Sequence, residues 1–119
     1  MNNYNMELER KYEEYERLRH TYLLLEAQKT ELLNLLDEID NALNELSNLK
    51  EGKKVYMLIG NILIEKDKNE VIEKLKEEKN VFMIKAESIK KQIEVYKEKL
   101  NNLAKELRDI VDKTNIGKK

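Results

Sequence analysis

Hydrophobic and polar positions divide the chain into three stretches. In the first, the stripe runs Tyr4, Leu8, Lys11, Tyr15, Leu18, Tyr22, Leu25, Lys29, Leu32, Leu36, Ile39, Leu43 and Leu46, in alternating steps of three and four; only Lys11 and Lys29 break it. Such steps keep the stripe on one side of an α-helix. They read as heptads with position a at Leu8, Tyr15, Tyr22, Lys29, Leu36 and Leu43. The other faces are mostly Glu, Arg, Lys and Asn, a solvated helix surface. A helix is predicted over residues 1–49, and about 45 residues at the helical rise extend roughly 65–70 Å. Gly52 is its expected stop.

The last stretch has the same rhythm: Ile72, Leu75, Lys79, Phe82, Ala86, Ile89, Ile93, Tyr96, Leu100, Leu103, Leu107 and Ile110, with Lys79 the one charge. Asp67 followed three residues later by Glu70 is a capping pattern. A helix is predicted over 68–113, with 114–119 fraying. The two stripes fit each other. Leu46 with Ile72, Leu43 with Leu75, Leu36 with Phe82, Leu25 with Ile93, Tyr22 with Tyr96, Leu18 with Leu100 and Leu8 with Ile110 keep a constant sum of residue numbers, as facing positions of two antiparallel helices do. The steady heptad spacing implies a left-handed supercoil. Both chain ends then lie together at one tip.

Residues 50–67 have a different period. Val55-Tyr56-Met57-Leu58-Ile59 and Ile62-Leu63-Ile64-Glu65 flank Gly60-Asn61. Gly60 admits positive φ and Asn61 tolerates the left-handed region, so the stretch reads as a β-hairpin. Alternation puts Val55, Met57 and Ile59 on one face and Tyr56 and Leu58 on the other, so both faces are apolar. A two-stranded ribbon alone is marginal in water, and its two edges are open to pairing. Complete burial of its eight apolar side chains would contribute roughly 12–24 kcal/mol as an upper bound. The hairpin is therefore expected to meet other hairpins, with Val55, Tyr56, Met57, Leu58, Ile59, Gly60, Asn61, Ile62, Leu63 and Ile64 as the oligomerisation residues. The fold class is mainly α: a long antiparallel two-helix coiled coil with a central β-hairpin, forming one domain over 1–119.

Composition narrows the function. The 119 residues include no Pro, Cys or Trp and only three Gly, which suits long helices and leaves no disulfide or thiolate metal site. The 23 basic and 24 acidic residues give a formal net charge of −1 and no basic footprint for nucleic acid. No signal peptide pattern and no membrane-spanning apolar run is present, and a cytoplasmic location is expected. No catalytic constellation appears. His20 is the single histidine and falls on the outer face, position f, without the partners a metal site requires. Gly60 is not part of a phosphate loop. No cofactor and no metal are expected.

The order helix, hairpin, helix resembles the β-class subunit of prefoldin. The resemblance is carried most specifically by Val55-Tyr56-Met57-Leu58-Ile59-Gly60-Asn61-Ile62-Leu63-Ile64, continuing through Asp67 and Glu70-Val71-Ile72 to Leu75. It covers nearly the whole chain, more loosely in the helices. A single hairpin looks like the β class, since α-class subunits carry two. Lys11, Lys29 and Lys79 at seam positions are not features the family requires. The resemblance implies an ATP-independent holdase chaperone: a hexamer of two α-class and four β-class subunits, with hairpins joined in an inter-subunit β-barrel. Its coiled-coil tips hold unfolded polypeptides, prevent their aggregation and pass them to a group II chaperonin.

On that reading the distal tip is the client-binding site, formed by Tyr4, Met6, Leu8 and Tyr12 near one chain end and Ile110, Val111 and Ile116 near the other. Met adapts to varied apolar surfaces, and frayed seam ends are open to a partner. The competing reading of Leu8 and Ile110 is a last packed layer of the seam. Further apolar residues lie off the seam at Leu23, Leu24, Leu33, Leu35, Met83, Ile84 and Val95. Lys29 and Lys79 are expected to snorkel, packing their stems and holding their ammonium groups in water. The alternative function is a coiled-coil tether or adaptor without chaperone activity, which would need only a polar loop where this chain has an apolar hairpin.

Overall fold

The computed structural model describes the backbone of residues 3–117 and the side chains of residues 5–114. The element order is α1 (Asn3–Ser47), β1 (Val55–Ile59), β2 (Ile62–Lys66) and α2 (Lys68–Gly117). The chain is thus mainly helical, with two long helices and one two-stranded antiparallel sheet. It divides into two compact units, Met1–Lys29 with Ser88–Lys119, and Thr30–Glu87.

Within the first unit the two helices run antiparallel, and Leu25, Ile93, Leu103 and Ile110 form the buried core. Lys11 crosses from α1 to α2, its Nζ donating to Glu106 Oε2 at 2.8 Å. In the second unit Ile39 and Val71 are buried, and Lys79 Nζ meets Asp40 Oδ1 at 2.7 Å. Both ion pairs join residues one step from the facing positions that the stripes define. Every stripe residue with a described side chain is buried or half-buried. Lys11 and Lys79 keep their stems in the seam and carry their charges out to a carboxylate on the other helix, the geometry of a snorkelling lysine.

The hairpin pairs Val55 with Lys66, Tyr56 with Glu65, Met57 with Ile64, Leu58 with Leu63 and Ile59 with Ile62. Its turn differs from the expectation at one residue. Gly60 has φ of 61°, whereas Asn61 is not in the left-handed region, so the turn carries the glycine-first signature of type II′. Glycine takes the one position that a side chain would strain, and Asn61 needs no special conformation. Lys54 Nζ and Glu65 Oε1, 3.9 Å apart, flank the sheet at its base.

Gly52 is not the stop of α1. The helix ends at Ser47, the Leu49 amide closes a tighter last turn on the Leu46 carbonyl at 3.3 Å, and Ser47 Oγ donates to the Asn44 carbonyl at 2.8 Å. Gly52, at φ 83°, instead occupies the third position of a turn closed by Lys53 N donating to Lys50 O at 3.3 Å, as a type II turn requires. The start of α2 follows the capping pattern: Glu70 N donates to Asp67 Oδ2 at 3.2 Å. Lys68 Nζ reaches back to the Leu49 carbonyl at 3.3 Å, supplying a donor just beyond the end of α1. The end of α2 lies beyond the expected 113. The backbone stays helical to Gly117, the first glycine since Gly60, and Thr114 Oγ1 donates back to the Ile110 carbonyl at 2.9 Å. Nothing in that run is a helix breaker until the glycine.

Candidate functional site

Two surfaces exceed what folding of the chain itself requires. The first is the hairpin. Its Met57 and Ile59 side chains, with Lys66, border a small cleft against Glu70, Val71 and Lys74 at the start of α2. Val71 is buried although it lies outside the helical stripe. The rest of the hairpin is open. Leu58 is 69% exposed, Ile62 65% and Leu63 66%, and Tyr56, Ile59 and Ile64 are exposed as well. Apolar residues are exposed on both faces of the hairpin. The expected oligomerisation residues are thus brought together, with Val55 and Met57 only half-buried.

Around the base of the hairpin, Lys50, Lys53, Lys54, Lys66 and Lys68 border a second, polar hollow with Glu51, Glu65, Asp67 and neighbouring residues.

The second surface lies in the first unit. A groove of about 700 Å³ runs between α1 and α2, lined by Asn5, Leu8, Glu9 and Tyr12 on one wall and Leu107, Arg108, Val111 and Asp112 on the other. The floor and flanks are apolar because each helix contributes an i, i+4 pair, Leu8 with Tyr12 and Leu107 with Val111, and such pairs share a helix face. Tyr12 is 58% exposed. Glu9, Arg108 and Asp112 are the charged residues of its lining.

Of the residues expected at the tip, Leu8, Tyr12 and Val111 therefore meet in this groove. Met6 is exposed but borders a shallower hollow with Glu9, Arg10 and Glu13. Ile110 is 6% exposed and packs in the seam, as the competing reading had it. The side chains of Tyr4 and Ile116 lie outside the described residues. Sequence reasoning placed Leu107 only in the seam and did not single out Glu9, Arg108 and Asp112; the i, i+4 spacing from Leu107 to Val111 is the signal that identifies the second wall.

Elsewhere the ionisable groups serve the helices. The Lys11 ammonium is held above the ordinary lysine range chiefly by its hydrogen bond to Glu106, against a smaller opposing effect of desolvation. The Tyr22 hydroxyl is raised by its hydrogen bond to Glu26, then by desolvation and by the charges of Glu26 and Glu94. Lys85 over the Phe82 ring (5.8 Å) and Lys99 over Tyr96 (5.2 Å) add cation–π contacts along α2. Among the described residues no group of three or more His, Cys, Asp or Glu side chains is disposed to hold a metal ion. No described helix is long and apolar enough to cross a membrane.

Two long helices joined by a largely exposed apolar hairpin define the architectural class of the chain. The family model described as prefoldin subunit matches residues 9–114. A prefoldin subunit beta of Saccharolobus islandicus is 31% identical over 91 residues, covering 76% of this chain and 71% of the relative. One from Archaeoglobus fulgidus is 29% identical over 84 residues, covering 71% and 72%. Among solved structures, the prefoldin beta subunit from Thermococcus strain KS-1 superposes with a TM-score of 0.80 at 22% identity, covering 92% of this chain and 96% of that one. The beta2 subunit of the same strain gives 0.67 at 24% identity, covering 81% and 98%. The chain belongs to the prefoldin family of chaperone subunits, in its β class.

Proposed function

We propose that this chain is a β-class subunit of an ATP-independent holdase, located in the cytoplasm. In a complex of two α-class and four β-class subunits, its hairpin joins those of the others in a β-barrel. The helical ends hold unfolded polypeptides, prevent aggregation and deliver them to a group II chaperonin. The observation that carries the reading is the apolar groove of Leu8, Tyr12, Leu107 and Val111, open at residues close to both chain ends. It has the character of a site for other chains: apolar, open and rimmed by few charges. A tether would need neither this groove nor a hairpin that leaves Leu58, Ile62 and Leu63 exposed.

The test is suppression of aggregation of a chemically unfolded protein, measured by light scattering with and without ATP. The wild-type assembly should suppress it equally in both. Tyr12→Asp with Val111→Asp should weaken holding roughly tenfold or more, since each buried apolar side chain is worth about 1.5–3 kcal/mol. Retained holding by that variant would move the client site away from the groove.

A further inference from the structure

The walls of the groove restrict what a client segment can be when it binds. Leu8–Tyr12 and Leu107–Asp112 lie inside α1 and α2, so their backbone N–H and C=O groups are engaged in the helical ladder. An extended segment laid between them would lose water from its own backbone and find no main-chain partner, a costly state for buried peptide groups. A helical segment satisfies its backbone internally. The groove is also built as helices receive one another: Leu8 and Tyr12 on one side and Leu107 and Val111 on the other are i, i+4 ridges, into which a third helix can set an apolar stripe. Free sheet edges, which do accept extended segments, belong to the hairpin instead.

The lining gives the charge. Among the lining residues Glu9 and Asp112 are acidic and Arg108 is the one cation, so the lining has a net negative charge. We propose that the groove binds client segments as short amphipathic helices, an apolar stripe flanked by Lys or Arg, and so favours helix-capable stretches of a non-native chain over β-prone ones. This rests on the groove being the client site and specifies which clients it takes.

The experiment uses the assembled complex and two labelled peptides of identical composition, each about four turns long if helical. One carries Leu at i, i+3, i+4 and i+7 with Lys on the remaining face; the other alternates Leu and Lys. Fluorescence anisotropy gives affinity, and isotope-edited infrared spectra give the bound conformation. The helix-patterned peptide should bind at least tenfold more tightly, become helical when bound, and lose that advantage with Val111→Asp. Equal or tighter binding of the alternating peptide, itself sensitive to Val111→Asp, would overturn the helical preference while leaving the groove as the client site. Binding of neither peptide would overturn both.

Discussion

Lys79 illustrates how a single residue is read differently by pattern and by structure. Its place in the stripe makes it a flaw in an apolar seam, but its ammonium meets Asp40 at 2.7 Å while its stem packs. Lys11 does the same with Glu106. Lys29, also in the stripe, is in no ion pair among the described residues. The difference yields a comparison. Exposed ion pairs contribute about 0–1 kcal/mol, less than an apolar side chain gains by burial in a seam. Lys29→Leu and Lys79→Leu should therefore both stabilise, Lys29→Leu more, because Lys79→Leu also gives up its pair; about 1 kcal/mol corresponds to a rise of roughly 4 °C in Tm. Thermal unfolding followed by circular dichroism measures both. A fall in Tm for Lys79→Leu would mean that the pair contributes more than surface screening allows. The pattern located these residues correctly, as it located every described stripe residue. It could not supply their partners, because Asp40 and Glu106 sit beside the seam, where the rhythm of three and four is silent.

At the scale of the element, the strands and their register were legible because alternation, β-branching and the Gly-Asn turn all pointed one way. Three features were not. The turn type depended on which of Gly60 and Asn61 takes positive φ, and composition allows either. Gly52 resembled a helix stop yet serves a separate turn, since α1 had already closed on its own carbonyls. Val71 is buried although it lies off the seam, and the seam's rhythm of three and four does not encode that burial. The open faces carry the prediction at this scale. Ile59 and Ile62 are direct cross-strand partners on one face, and Leu58 lies on the other. Under the proposed assembly, Ile59→Asp with Ile62→Asp should abolish the complex, since desolvating a carboxylate in an apolar barrel is costly. Leu58→Asp tests the second face without placing two like charges opposite each other. Far-ultraviolet circular dichroism should stay helical in all cases, because α1 and α2 draw their stability from the seam. A complex of unchanged native mass in both variants would remove the hairpin from assembly.

At the scale of the molecule, the two exposed surfaces belong to different units, the hairpin to residues 30–87 and the groove to residues of 1–29 and 88–119. Holding and assembly should then separate cleanly. A single open groove with one apolar floor gives only weak affinity, because ordering an unfolded segment costs most of what burial supplies. Several grooves on one complex raise the effective concentration of the next contact, so that holding grows much faster than the number of subunits. Removing residues 1–8 and 110–119 deletes Leu8 and Val111 from the groove and leaves the hairpin untouched. Mixed with an α-class partner, this shortened chain should give the same native mass as the full chain, measured by native mass spectrometry, and no longer suppress aggregation. Complexes that contain shortened and full chains in varied proportion should lose holding more steeply than in proportion to the grooves lost. A strictly proportional loss would mean that each groove acts alone, and that the complex serves only to carry independent sites.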